Sequence, residues 1–539
     1  MKQRIDLQLL AAIGGGILFN FLFWMEKQAL NLLIYTLFLI IITLLDREKS
    51  KTKKYYIFAG SHLLAAIMVV VNQSDLNIIT WYITFAVMIG LIHFPLLRNI
   101  FTVLLAAFLQ IITTPINLLK KIMAIHFGDL SFKPVLKIVK YTIIPFFAIM
   151  LFSILYSEAN TVFANYLNRI TSGITTFINN MVVFLFPELS FERFIHIVLG
   201  IVLSAGAFIS LKRLELEKIE AGFGEQLVRE HRNKTSNSIA YMLIEVFAEG
   251  LLKRMMALKT ENIIGIISFT ALNLLLLSLN TIDITTLWLG KNIESNGAKY
   301  SDALHDGTNV LIVSIVIAMM IIVYFFRGNL NFYSKNKTIR FLAYLWIFQN
   351  IFLVCSVLLR DYQYVSALGL TYKRIGVFVF LLLCTIGLVT VYIKVAQQKT
   401  FFYLCKINGR IWYILLLVFG FVNWDVLIVN YNINNRASIN LDLDHLTDLS
   451  DKTLPLLNTN KIILRKYLST SNYAYKWSND TTDLSNKRIT PTNSEQILAF
   501  EKDLAQRNNT FKTKYNETSW LSWNYRDWQT MQFLLKNHL

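Results

Sequence analysis

The sequence predicts an all-α protein: a polytopic transmembrane helix bundle of about eleven spans, twelve if one ambiguous run also crosses, with a small, mostly helical extracytoplasmic C-terminal domain. Three observations carry this. Apolar runs of about eighteen residues recur through residues 7–429, each long enough for a helix to cross the hydrocarbon core of a bilayer. Of the 539 residues, 55% are hydrophobic and only 16% charged, where a soluble domain carries about 25% charge. After residue 429 the composition shifts abruptly to Asn, Ser, Thr and Asp. The chain therefore divides into a membrane domain, 1–429, and a soluble helical tail, 430–539.

MKQRID precedes the apolar run Leu7–Trp24, which begins like a signal peptide. WMEKQ then stands where small cleavage-site residues belong, so the run reads as a retained first helix. Further spans fall at 28–45, 55–71, 77–97, 141–158, 194–211, 261–281, 308–326, 341–359, 375–393 and 411–429. The loops DREKSKTKK (46–54), RGNLNFYSKNKTIR (327–340) and KVAQQKTFFYLCKINGR (394–410) are basic, whereas NQSDLN (72–77) is weakly charged and GKNIESNGAKYSDALHDG (290–307) mixed. Basic loops stay in the cytoplasm. The N-terminus is then cytoplasmic and the tail extracytoplasmic. NIFTVLLAAFLQIITTPIN (99–117) is apolar enough to span but holds Gln110 and Pro115 between Arg98 and Lys120/Lys121. A span there would strand a basic stretch on the wrong side, so an interfacial or re-entrant helix is expected.

Other segments are amphipathic. SFKPVLKIVK (131–140) sets Lys133, Lys137 and Lys140 opposite Val135, Leu136 and Val139, a pattern that lies flat on an anionic membrane. Phe163, Tyr166, Leu167, Ile170, Ile174, Phe177 and Ile178 form a stripe expected to pack on the rim of the bundle. The cytoplasmic loop 212–259 aligns Glu245, Glu249 and Lys253, as a solvated face or a docking surface would. In the tail, LDLDHLTDLSDKTLPLL, KIILRKYL, EQILAFEKDL and WQTMQFLL repeat apolar residues at helical spacing. The net charge of +18 fits basic cytoplasmic loops. With no compact basic and aromatic motif, nucleic acid is not an expected partner.

Chemical motifs are sparse. HExxH, GxSxG, the P-loop and a GxGxxG after a strand are missing from the sequence. Cys355, Cys384 and Cys405 form no CxxC pair. No catalytic residue, cofactor or metal is expected. Gly14–Gly16 suits close helix contact, and Asn273, Gln349 and Asn350 suit interhelical hydrogen bonds. The predicted spans hold His62, His93 and His196 but almost no charge, which disfavours an ion-coupled carrier. Asp442-Leu443-Asp444-His445 has the D-x-D spacing that metal-using sugar transferases employ, yet it opens a helical run, where acids suit the helix dipole.

SDALHDGTNV (301–310) is the remaining candidate. Asp302, His305 and Asp306 share one helical face as an outer-face polar cluster. A metal needs a further ligand there, and an acid–base pair needs a pocket. The structural alternative is that Asp306 or Thr308 caps a helix beginning at 308. Convergence with Arg360, Asp361, Lys373 or Arg374 would mark a ligand or catalytic site.

HDGTNVLIVSIVIAMMIIVYFFRGNLNFYSKN (305–336), LAYLWIFQN (342–350) and YKRIGVFVFLLL (372–383) resemble a bacterial multi-pass family, domain of unknown function 4173, related to the broader 4153 group. The resemblance is strongest over about residues 300–430, and LDLDHLTDLSDKTLPLL is similar too. It implies the polytopic architecture and carries no activity, cofactor or catalytic residue. The leading expectation is a non-enzymatic interaction, sensing or regulatory protein, with the lipid bilayer and proteins at the tail or at loop 212–259 as partners. A transporter or lipid-handling protein for a neutral or amphipathic substrate comes second. A membrane-embedded transferase using the 302–306 cluster, the Tyr333 loop or the D-x-D stretch is third.

Overall fold

A computed structural model describes residues 7–46, 52–123, 145, 148–185, 190–209, 215–229, 258–289, 297–439, 441–470 and 493–539. Its named elements are all helices. The predicted amphipathic segment 131–140 and nearly all of 241–259 lie outside the described residues. Contacts divide the chain into two compact units, Met1–Glu217 with Thr518–Tyr525, and Lys218–Glu517 with Arg526–Leu539.

The first unit contains α1 (Leu7–Phe23), α2 (Leu30–Leu45), α3 (Lys53–Asn72), α4 (Asp75–His93), α5 (Ile100–Met123), α6 (Ala148–Ala159), α7 (Thr161–Leu185) and α8 (Phe191–Phe208). The side chains of Thr52, Ser74 and Ser190 accept from the third backbone N–H beyond, which starts α3, α4 and α8 where the apolar runs begin. The glycine run lets α1 lie directly on α8: a Cβ at Gly16 would stand 2.8 Å from the Ile201 backbone nitrogen, and one at Gly15 2.4 Å from Ser204 Oγ. The His62 ring is fully buried and satisfied, between Thr84 Oγ1 at 2.9 Å and Thr36 Oγ1 at 3.4 Å.

Helix α5 is long and apolar enough to cross a membrane, and it contacts α1, α4 and α8 near their ends. Val103 lies against Gly90 in the last turn of α4. The Gln110 amide donates to Ile209 O at 2.6 Å and to Gly206 O at 3.3 Å, at the end of α8. Lys121 donates to Gln8 Oε1 at 2.6 Å, in the first turn of α1. Gln8 in turn donates to Asp46, the C-cap of α2. Phe101, Leu105 and Phe108 are exposed on its outer side. On α7, Phe163, Tyr166, Ile170 and Ile174 of the predicted stripe are exposed, while Leu167 is half-buried. Inside a bilayer such a face needs no protein partner.

Residues 518–525 complete this unit. Glu26 Oε2, in the α1–α2 turn, accepts from Ser519 Oγ at 2.5 Å and Ser522 Oγ at 2.6 Å. Leu30 N donates to Trp523 O, and Asn524 Nδ2 to Gln73 Oε1 at the end of α3.

Following the short α9 (Glu215–Ala221), which straddles the boundary between the units, the second unit contains α10 (Leu258–Asp283, prolonged by a π-helical turn, Ile284–Trp288), α11 (Gly297–Phe325), α12 (Lys337–Leu368), α13 (Tyr372–Ala396) and α14 (Phe401–Gly420). Their core is Phe269, Ile315, Ile322, Phe326, Trp346, Leu381 and Leu388. Two of the three expected mid-helix amides bridge helices: Asn273 Nδ2 donates to Leu342 O at 3.0 Å, and Gln349 Nε2 to Asn273 Oδ1 at 2.8 Å, whereas Asn350 Nδ2 donates to Trp346 O of its own helix at 2.8 Å. Three sequence expectations are corrected here. The run 411–429 is not one helix, because α14 ends at Gly420 and Asn423 caps a new helix, α15 (Trp424–Asn434). Helix α11 begins at Gly297, so Asp306 and Thr308 lie within it and cap nothing. The helices also carry buried charge: Asp283, Asp361 and Lys394 are 1%, 6% and 1% exposed. Lys394 Nζ is satisfied by Phe326 O at 2.6 Å.

Five more helices follow, α16 (Leu443–Asp448), α17 (Leu454–Thr459), α18 (Lys461–Thr470), α19 (Asn493–Glu517) and α20 (Tyr525–Lys536). Their apolar faces, Leu446, Leu457, Leu464, Phe500 and Leu534 among them, share a core with Val365 and Leu370 and with Ile428 and Val429 of α15. Eight of the described helices are long and apolar enough to cross a membrane: α3, α4, α5, α8, α10 with its π turn, α12, α13 and α14. Exposed Ile267, Leu274, Ile317, Met320 and Phe348 supply the apolar outer surface that lipid requires. The molecule is an all-helical membrane protein.

Candidate functional site

The site grows from one turn. Only three residues, Gly369–Thr371, connect α12 to α13. Gly369 has φ +80°, and a Cβ there would meet Asn432 Oδ1 at 2.6 Å. Asn432 of α15 reads the backbone of Leu370 twice, accepting from its N–H at 2.6 Å and donating to its carbonyl at 2.9 Å. Arg374 closes the turn by donating to the carbonyls of Leu368 and Gly369, and its guanidinium lies 4.2 Å from the Tyr364 ring centroid. That arrangement fixes the last turns of α12 beside the first turn of α13.

Between them and α11 is a cavity of about 940 Å3. Arg360, Asp361, Tyr364, Tyr372, Lys373 and Arg374 form its polar wall, Ile312, Val377 and Phe380 its apolar wall, and Asp442 and His445 reach it from the start of α16. Arg360 is ion-paired with buried Asp283, immediately before the π turn of α10. Tyr372 donates to Asp425 Oδ1 at 2.6 Å. Asp442 Oδ1 accepts from His445 N at 3.0 Å, which is the helix-starting role its D-x-D setting allowed. Among the described residues, Asp361 Oδ2, His445 Nε2, Arg360 Nε and Arg374 Nε are buried without a hydrogen-bond partner. Buried polar atoms are nearly always paired, so four exceptions around one cavity call for a physical cause.

The sequence-predicted cluster stands beside this cavity. Positions 302 and 305 occupy the same face of α11 as Asn309 and Ile312, which line it, and 306 is adjacent. The side chains of Asp302, His305 and Asp306 lie outside the described residues. Arg360, Asp361, Lys373 and Arg374 line the cavity together. Sequence reasoning missed Asp283 and the two tyrosines, and weighed His445 only as part of the D-x-D stretch. Asp283 had a signal: it directly follows the predicted span 261–281 and is the only acid between Glu261 and Glu294.

Fold and cavity thus define a polytopic helical membrane protein with a mixed-charge pocket at one end of its second unit. The chain belongs to the family described as Domain of unknown function (DUF4153), whose family model matches residues 58–460 and so contains every residue of the cavity. No curated protein and no solved structure matches the chain.

Proposed function

We propose that the protein is a non-enzymatic ligand-binding protein of a bacterial cytoplasmic membrane, which takes the charged head of an amphipathic molecule into this cavity and senses or presents it. The observation that carries the reading is the set of four unpaired buried polar atoms around one cavity whose other wall is apolar. No hydrogen bond among the described residues joins Asp361 or His445 to a nucleophile, which favours binding over catalysis. A lipid-handling or transport role is the second reading, favoured by the buried Asp283–Arg360 pair within the helical bundle.

In this reading the cavity faces outward and the N-terminus lies in the cytoplasm. In the second unit, the basic residues Arg327, Lys335, Lys337, Arg340 and Lys399 cluster where α11 meets α12 and α13 meets α14, at the far end of α12 and α13 from the cavity. Residues 430–539 then form an extracytoplasmic region whose surface, like loop 212–259, is available to protein partners. The HDGTN to FRGNLNFY stretch supports the narrower 4173 grouping.

The test is cavity filling. V377W should abolish the thermal stabilisation that a lysophospholipid gives the detergent-solubilised full chain, while I267W on the exposed face of α10 should preserve it. Unchanged stabilisation of V377W would refute the reading.

A further inference from the structure

We infer that the head of the bound molecule is a zwitterion carrying a primary amine and a phosphate, as in phosphatidylethanolamine, with the amine at Asp361 and the phosphate at Lys373 and the first turn of α13. This rests on the reading of the cavity as a binding site for an amphipathic ligand, and it follows from how the charges are paired.

Arg360 is already matched by Asp283. The groups that remain are of both signs, and Arg374 is an opposite charge acting on Asp361, though each keeps a buried atom without a hydrogen-bond partner among the described residues. Asp361 is 6% exposed, lines the cavity and has one carboxylate oxygen buried without a hydrogen-bond partner among the described residues. Arg374 spends one guanidinium nitrogen on the carbonyls of the turn and leaves its Nε buried and unpartnered. Lys373, beside it, is exposed on the cavity wall. Thr371, at the N-cap of α13, makes no side-chain capping bond, so the N-terminus of this 25-residue helix keeps donors for an anion between two cations.

A simple anion would satisfy this half and leave Asp361 Oδ2 buried and unpaired. A simple cation would do the reverse. A head with an ammonium donor and a phosphate acceptor group completes both, and electrostatic complementarity of this kind sets specificity. His445 Nε2, also on the lining, lies on the α16 side and can take a further polar group. Ile312, Val377 and Phe380 give the attached chain an apolar wall, which free phosphoethanolamine would not use.

The experiment uses the detergent-solubilised full chain, titrated with short-chain phosphatidylethanolamine, phosphatidylcholine, phosphatidylglycerol and free phosphoethanolamine, with binding read by microscale thermophoresis. The primary amine should make phosphatidylethanolamine bind about tenfold or more tightly than the glycerol or choline lipid. D361N should bring the three lipids within about twofold of one another, and K373Q should weaken all three together. Free phosphoethanolamine binding as tightly as the lipid would overturn the lipid assignment. Equal affinity for the three lipids on the unmodified chain would overturn the zwitterion and leave the amphiphile reading standing. Failure of every amphiphile to bind would overturn both.

Discussion

Replacing Arg360 with Met should be the most damaging conservative-volume change in the second unit, and the structure sets the reason. Arg360 and Asp283 are ion-paired across α12 and α10, with side-chain exposures of 18% and 1%. Asp283 Oδ2 has no hydrogen-bond partner among the described residues, so Arg360 is the main compensation for that carboxylate. Breaking a buried pair by removing one partner costs about 3–5 kcal/mol, because the survivor keeps its desolvation penalty. The two halves of the pair should behave differently. After R360M the carboxylate is sealed at 1% exposure, whereas after D283N the guanidinium can turn toward the cavity and water. We therefore expect R360M to cost about 3–5 kcal/mol and D283N about 1–2 kcal/mol. The double variant should be less destabilised than R360M alone, because no charge is left buried. Equilibrium unfolding in mixed dodecyl sulfate and maltoside micelles gives the four corners of the cycle. Additive effects, or D283N costing as much as R360M, would refute this account of the pair.

Other outcomes are equally specific. N432A removes both hydrogen bonds to buried Leu370 and should cost about 2 kcal/mol or more in the same assay, loosening the cavity wall with it. G16L drives a side chain into the Ile201 backbone of α8 and should destabilise by at least about 1–3 kcal/mol, while G14L, where a Cβ meets nothing within 4 Å, should be nearly neutral. E26Q leaves Ser519 and Ser522 a weaker acceptor, so limited proteolysis should cut within 518–525 sooner than in the unmodified chain. A reporter fused after Leu539 should be active only outside the cytoplasm; cytoplasmic activity would overturn the proposed orientation.

Much of the fold was legible because membrane helices announce themselves by apolar length. The runs 55–71, 341–359 and 375–393 lie inside helices that extend them by one to nine residues at an end, and 194–211 overlaps α8, which begins and ends three residues earlier. The errors share a cause. A hydropathy window stops at the first charge, so 261–281 ended before Asp283 and 375–393 before Lys394. Those charges are tolerable inside helices because Arg360 and the Phe326 carbonyl reach them from distant parts of the chain, which no local window contains. For α5 the sequence is ambiguous for another reason: its composition permits a span, while Gln110, Pro115 and the flanking basic residues argue for an interfacial or re-entrant helix. Of the site, the sequence supplied Arg360, Asp361, Lys373 and Arg374 as candidates. Their meeting with His445 depends on a turn held by Asn432.

The clasp at Glu26 orders events in time. Its carboxylate sits in the first interhelical turn of the chain, and the hydroxyls that satisfy it arrive 493 and 496 residues later. Synthesis runs from the N-terminus at about 5–20 residues per second, so this turn must wait for those hundreds of residues to be made before its polar groups are matched. Until then the hairpin is an unfinished surface, exposed to proteases and chaperones. Its closure should therefore follow the folding of the helices made between rather than precede it.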